Sequence, residues 1–140
     1  MNINFIHNPL EDDIKKIYDG LVDFNESYFP NFEEKSFACF INDNENKVVG
    51  GLSGKITYNN MLIDYFWLPK SYRSSGVGTR IINQAIKEAI TLKLRYINLD
   101  TYTFQAPDFY LKMGFVEVGR FKDYPKIGTD KVFYQKKLHN

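Results

Sequence analysis

The spacing of apolar residues divides the chain into alternating strand and helix segments. Ile14, Ile17, Leu21 and Val22 recur at helical spacing behind Glu11, Asp12 and Asp13. This predicts a first helix starting near Leu10, with its acids at the positive end of the helix dipole. The following "FNESYFPNFEEKS" is aromatic and polar without period and reads as a loop or short helix. "FACFIND" and "KVVGGLSGKITY" read as strands joined by the turn "NDNEN". "MLIDYFWL" is a nearly continuous apolar run, of the kind found in strands covered on both faces. Three strands in succession predict an antiparallel meander. From Val77, the residues Ile81, Ile82, Ala85, Ile86, Ala89 and Ile90 form one stripe, with Arg80, Asn83, Gln84, Lys87 and Glu88 opposite, which predicts an amphipathic helix. "RYINLDTYT" is a further strand. "PDFYLKMG" is a short helix opened by Pro107 and closed by Gly114, and "FVEVGRF" with "KVFYQKKL" makes a final hairpin. With no internal repeat or linker, the order predicts one α/β domain of the α+β kind over residues 1–140.

Composition removes several functional classes. Lys and Arg number 18 against 17 Asp and Glu, and no block of like charge stands out. The chain is therefore not expected to bind nucleic acid or an anionic membrane. Its single cysteine, Cys39, lies in an apolar run and reads as a core residue in a reducing compartment. The N-terminal segment lacks a basic start followed by an apolar stretch, and no run reaches the roughly 18 apolar residues of a membrane span. A cytoplasmic location is expected. His7 and His139 lie near the ends and read as surface residues. No His, Cys and Asp cluster has metal-ligand spacing, so no metal is expected.

Chemistry enters with "YRSSGVGTRI", between the strand "MLIDYFWL" and the helix from Val77. A glycine-rich turn from strand into helix leaves several backbone N–H groups unpaired and aimed together, an arrangement suited to an anion. Gly76 and Gly78 would equally serve a tight turn and close packing. No Gly-Lys-Ser/Thr follows, which excludes a nucleotide P-loop, and Ile81 stands where a third dinucleotide-fold glycine would be.

Arg73-Ser74-Ser75-Gly76-Val77-Gly78 resembles the Gln/Arg-x-x-Gly-x-Gly/Ala phosphate loop of the GNAT superfamily of N-acetyltransferases. A later segment of that family reads Ala-x-x-x-Tyr-x-Lys-x-Gly-Phe, and Ala106 to Phe115 is similar to it at every specified place. "LDTYTFQAPDFYLKMGF" further resembles a bacterial subgroup with a Phe-Gln-Ala-Pro element before the tyrosine. The resemblance extends from about Lys47 to the C terminus. It implies the GNAT fold: a mixed, mostly antiparallel central sheet with a splayed parallel strand pair and helices on both faces.

The same resemblance implies acetyl-CoA as cosubstrate. Arg73, Ser74, Ser75, Gly76, Val77, Gly78 and Thr79 would hold its pyrophosphate, and the backbone of Phe66, Trp67 and Leu68 its pantetheine. A backbone N–H of that strand would polarise the thioester carbonyl. Tyr110 would protonate the departing thiolate, a phenol of pKa ~10 against a thiol of ~8.5. Thr103 stands where many members carry an asparagine, so a pantetheine contact there passes to Thr103 or to Gln105.

An amine acceptor is mostly protonated at neutral pH and needs a base. Asp64, an acid inside "MLIDYFWL", is the first candidate; it reads equally as solvated or paired with a lysine. Asp100 is the alternative. Tyr28, Phe29 and Phe32 are candidates to wall the acceptor pocket, with Asp23 and Glu26 attracting a cation. The aromatic strand "KVFY" is a candidate homodimer interface. The reading is an N-acetyltransferase that moves acetyl from acetyl-CoA to a primary amine by direct attack. The competing readings are a non-catalytic acyl-CoA sensor of the same fold and acetylation of a charged tRNA, the latter disfavoured by the near-zero charge.

Overall fold

The structure, a computed structural model, describes residues 1–139. The chain divides into two compact units, Met1–Glu33 and Glu34–Asn140.

The first unit is built on helix α1 (Glu11–Asn25), which begins where the acidic triplet predicts. The Leu10 carbonyl accepts the Asp13 and Ile14 N–H groups at 3.1 and 3.3 Å. Exposed pairs Lys15–Asp19 and Lys16–Asp13 line its flank and add little stability. No residue of α1 is buried. The segment after it is a turn rather than a helix: the N–H groups of Tyr28 and Phe29 both donate to the Asn25 carbonyl at 2.9 Å.

The second unit is a six-stranded sheet of β1 (Glu34–Asn42), β2 (Val48–Thr57), β3 (Asn60–Trp67), β4 (Tyr96–Tyr102), β5 (Val116–Phe121) and β6 (Lys131–Lys137), in the order β1-β2-β3-β4-β6-β5. It carries helices α2 (Val77–Thr91) and α3 (Pro107–Lys112). The first three strands form the predicted meander, and β5 pairs antiparallel with β6. β3 and β4 alone are parallel. Because β6 lies between β4 and β5, the "KVFY" segment has no free edge to offer a second copy.

One face of this sheet holds the core. Met61 and Ile63 of β3, Ile97 and Leu99 of β4, and Val132 and Tyr134 of β6 pack with Ile81, Ile82, Ala85 and Ala89, the stripe expected on α2. Each such side chain contributes about 1.5–3 kcal/mol when fully buried. Cys39 is half-buried against this cluster. Both helices of the unit lie on the core face, because α3 seats Phe109 and Tyr110 there too. On the other face of β3, Leu62, Tyr65 and Trp67 are exposed.

A bulge sets that exposure. Ser53 faces Tyr65 and Gly54 faces Ile63, so Asp64 has no partner on β2. The extra residue keeps Ile63 and Phe66, three apart, on the core side and puts Asp64 and Tyr65 together on the open side. A Cβ on Gly54 would fall onto the Leu62 carbonyl oxygen and the Phe37 ring, so β2 approaches β3 this closely only with glycine. Gly54→Ala should cost at least about 2 kcal/mol, read as a lower urea midpoint. No helix among the described residues is long and apolar enough to cross a membrane.

Candidate active site

Beyond β3 the chain makes a single 3-10 turn, Lys70–Tyr72, and then the glycine-rich loop. Ser74 and Gly76 are left-handed, with φ 62° and 82°. The first acceptor of the α2 ladder is the Gly76 carbonyl, taken by Arg80 N–H at 3.1 Å. The N–H groups of Val77, Gly78 and Thr79 therefore have no helical acceptor. Those of Ser74, Ser75 and Gly76 take no acceptor among the described residues either. The result is a nest of donors at a helix N terminus, suited to a pyrophosphate. Arg73 latches this loop, its Nε donating to the Leu68 carbonyl at 2.9 Å and leaving the terminal nitrogens for a ligand. Ser75 Oγ donates to the Tyr72 carbonyl at 3.1 Å.

The loop stands at the end of an open strand edge. β3 and β4 pair from Asn60–Tyr96 to Ile63–Leu99 and no further. Tyr65, Phe66 and Trp67 remain paired with β2 on their other side, so the edge facing β4 is free. That is the splay, and an extended ligand fits it as an added strand. Phe66 sits edge-on to Phe109 with ring centroids 6.1 Å apart, which docks α3 against the splay.

Asp64 and Asp100 follow the last parallel pair directly, one on each diverging strand and both on the open face. Paired strands run about 4.8 Å apart, so the two carboxylates straddle the mouth of the splay. Each meets one lysine at 3.7 Å, Lys55 for Asp64 and Lys131 for Asp100. Asp64 is thus neither dry nor unpaired, and Asp100 occupies the equivalent place across the gap.

Tyr110 approaches from the core face. Its ring lies 5.3 Å from Phe109 and 5.9 Å from both Phe115 and Tyr134. Burial, with a smaller push from the Asp100 charge, raises its phenol to about 12. The hydroxyl takes no partner among the described residues, yet no buried side-chain oxygen is left unsatisfied, so it reaches solvent.

Thr103 is turned away from this line. Its N–H donates to the Asp130 carbonyl at 3.0 Å and its Oγ1 accepts the Asp130 N–H at 3.1 Å. Gln105 instead closes the end of β4. Its Oε1 accepts the Tyr102 N–H at 2.9 Å and the Thr101 hydroxyl at 2.8 Å, leaving its Nε2 without a partner among the described residues. Asp23, Glu26, Tyr28, Phe29 and Phe32 are exposed within the first unit. His7 and His139 are exposed as well, and no three metal-ligating side chains cluster among the described residues.

The chain belongs to the acetyltransferase (GNAT) family, whose model matches residues 8–115, and it is an N-acetyltransferase by that membership. It is 28% identical over 90 residues to blasticidin-S acetyltransferase of Streptomyces morookaense, covering 64% of this chain and 66% of that enzyme. It is 25% identical over 133 residues to streptothricin acetyltransferase A of Bacillus subtilis, covering 82% and 76%. An acetyltransferase from Bacillus cereus solved at 1.9 Å superposes with TM-score 0.85 at 28% identity, covering 96% of this chain and 98% of that one.

Proposed function

We propose that the chain transfers acetyl from acetyl-CoA to the primary amine of a small molecule by direct attack, with no covalent enzyme intermediate. The observation that carries this reading is the continuous line of unmet groups. It runs from the N–H nest at Ser74 to Thr79, along the free edge of Asp64 to Trp67, to the solvent-reaching hydroxyl of Tyr110. Acetyl-CoA, when bound, supplies a thioester already activated for acyl transfer. The loop N–H groups and the Arg73 guanidinium hold its pyrophosphate, and the β3 edge and Gln105 Nε2 hold pantetheine.

Asp64 takes the proton of the incoming ammonium, directly or through water, with Asp100 across the mouth favouring a cationic acceptor. Tyr110 acts as a hydrogen-bond donor to the developing thiolate. Full transfer from a phenol near 12 to a thiol of ~8.5 runs about 5 kcal/mol uphill, whereas donating a short hydrogen bond does not. The likeness to enzymes named for blasticidin-S and streptothricin supports a small-molecule acceptor. The near-zero net charge supports the same choice over nucleic acid or a membrane surface.

Calorimetry with acetyl-CoA, followed by thiol release against polyamines, aminoglycosides, amino acids, short peptides, blasticidin S and streptothricin, tests the reading. Binding with turnover on one amine class supports it. Binding without turnover on any amine favours a sensor, and no binding refutes the loop assignment. Asp64→Asn should lower kcat/KM for the amine about tenfold at pH 7, Asp100 supplying part of the lost charge. The deficit should close as pH rises toward the pKa of the amine, where the free base needs no help. A deficit constant with pH would place Asp64 outside the proton path.

A further inference from the structure

On the open face beside Asp64 lies a cleft of about 200 Å³ that the transfer chemistry does not use. It is lined by Phe40, Val48, Tyr65 and Trp67 and by the β2 segment from Gly50 to Ser53, two of whose four residues are glycines. The wall side chains are exposed, Tyr65 by 77% and both Phe40 and Trp67 by 59%. No ionisable carboxylate, lysine or arginine lines it. Whole-ligand pockets begin at about 300 Å³, so this volume suits one ring of a ligand. Aromatic side chains beside two glycines admit a flat ring face to face, and aromatic pairs prefer such offset stacking.

The bulge ties this cleft to the chemistry. It puts Tyr65 on the same face as its neighbour Asp64, at the mouth of the splay. A ligand with its ammonium at Asp64 thus has the cleft within one residue's reach. We propose that this cleft is the acceptor-selecting subsite, and that the acceptor is a cationic primary amine carrying a planar ring, which Tyr65 and Trp67 sandwich while Asp64 holds the ammonium. The inference rests on the acetyl-transfer reading above and deepens it.

Trp67 is the only tryptophan, so the tryptophan emission of the chain comes from a residue lining this cleft. The probes are 4-nitrobenzylamine, a flat aromatic amine, and cyclohexylmethylamine, a saturated amine of like charge and similar size. They are titrated into the full chain with saturating CoA present and excitation at 295 nm. The flat amine should quench Trp67 saturably, and an excess of the saturated amine, which has no quenching group of its own, should fail to displace it. In thiol-release assays the flat amine should show about a tenfold lower KM. Tyr65→Ala should erase that preference while Tyr65→Phe retains it. The exposure of Tyr65 predicts that both variants fold.

Equal KM values for the two amines in the native chain, with no selective quenching, would overturn the ring subsite and leave acetyl transfer standing. Thiol release with no amine at all would count against acetyl transfer. The quench titration needs no turnover and would then decide the cleft by itself: selective saturable quenching supports it, and its absence overturns it.

Discussion

Tyr110→Phe should lower kcat about a hundredfold while leaving acetyl-CoA affinity within about twofold. The substitution keeps the ring that meets Phe109, Phe115 and Tyr134 and removes only the hydroxyl. Thermal stability should therefore stay close to the native value, and the loss falls on a donor aimed at developing charge, where such groups are worth 10²–10³ in rate. The pH profile supplies an independent check. Burial disfavours the phenolate, and the Asp100 charge disfavours it further, so the folded-state phenol lies near 12, above its ordinary 10. The protonated, donating form is then complete through neutral pH and is lost only as pH rises past about 11. In the proposed mechanism the rising limb of the native profile should belong to deprotonation of the amine, and Tyr110 should add no falling limb below pH 10. A fall in native kcat centred between pH 8 and 10 that disappears in Tyr110→Phe would mean that the phenol is not raised. A large loss of acetyl-CoA affinity would make the residue a packing element instead.

The parts of this site that are legible in sequence are those encoded locally. The stripe from Val77 gives α2, and its buried residues are the expected Ile81, Ile82, Ala85 and Ala89. The two glycines announce an unpaired helix start because the donors of a first turn follow from local geometry. The splay is different. It depends on where β3 stops pairing with β4 and on one unpartnered residue opposite Gly54, and both are set by long-range register. Asp64 is visible in sequence as an acid in an apolar run, but its place as the bulged residue is not. Asp100 looks ordinary in "INLDTY", and only the register makes it the counterpart of Asp64. The exposure of Tyr65 and Trp67 was illegible for a related reason: an aromatic reads as buried whichever way it faces, and the bulge decides the face. Gln105 outranks Thr103 at the end of β4 because the turn before α3 brings its amide back onto the Tyr102 N–H, a contact made by chain geometry rather than by residue type.

Gly76→Asp should reverse the pattern of Tyr110→Phe, with acetyl-CoA affinity falling about 10²- to 10³-fold and kcat at saturation nearly preserved. Gly76 is the N-cap of α2 at φ 82°, and a Cβ built there meets nothing within 4 Å. A side chain therefore has room and costs only the left-handed backbone, about 1–2 kcal/mol for most residues and less for Asp or Asn. The fold should survive while a carboxylate stands among the donors from Ser74 to Thr79. Two like charges about 4 Å apart near a protein surface repel by ~4 kcal/mol, the size of the expected loss. Gly76→Asn has the same shape without the charge and should weaken binding only a few fold. Gly78→Ala is the steric control. Its new methyl would lie 3.5 Å from Leu68 Cδ1 and 3.7 Å from Phe109 Cζ, ordinary contacts in a helical first turn, and should leave stability and binding near native. Calorimetry on the three variants separates the explanations. Equal weakening by Asp and Asn would assign Gly76 to backbone conformation alone, whereas a gap of tenfold or more that narrows with added salt identifies the loop as the seat of an anion.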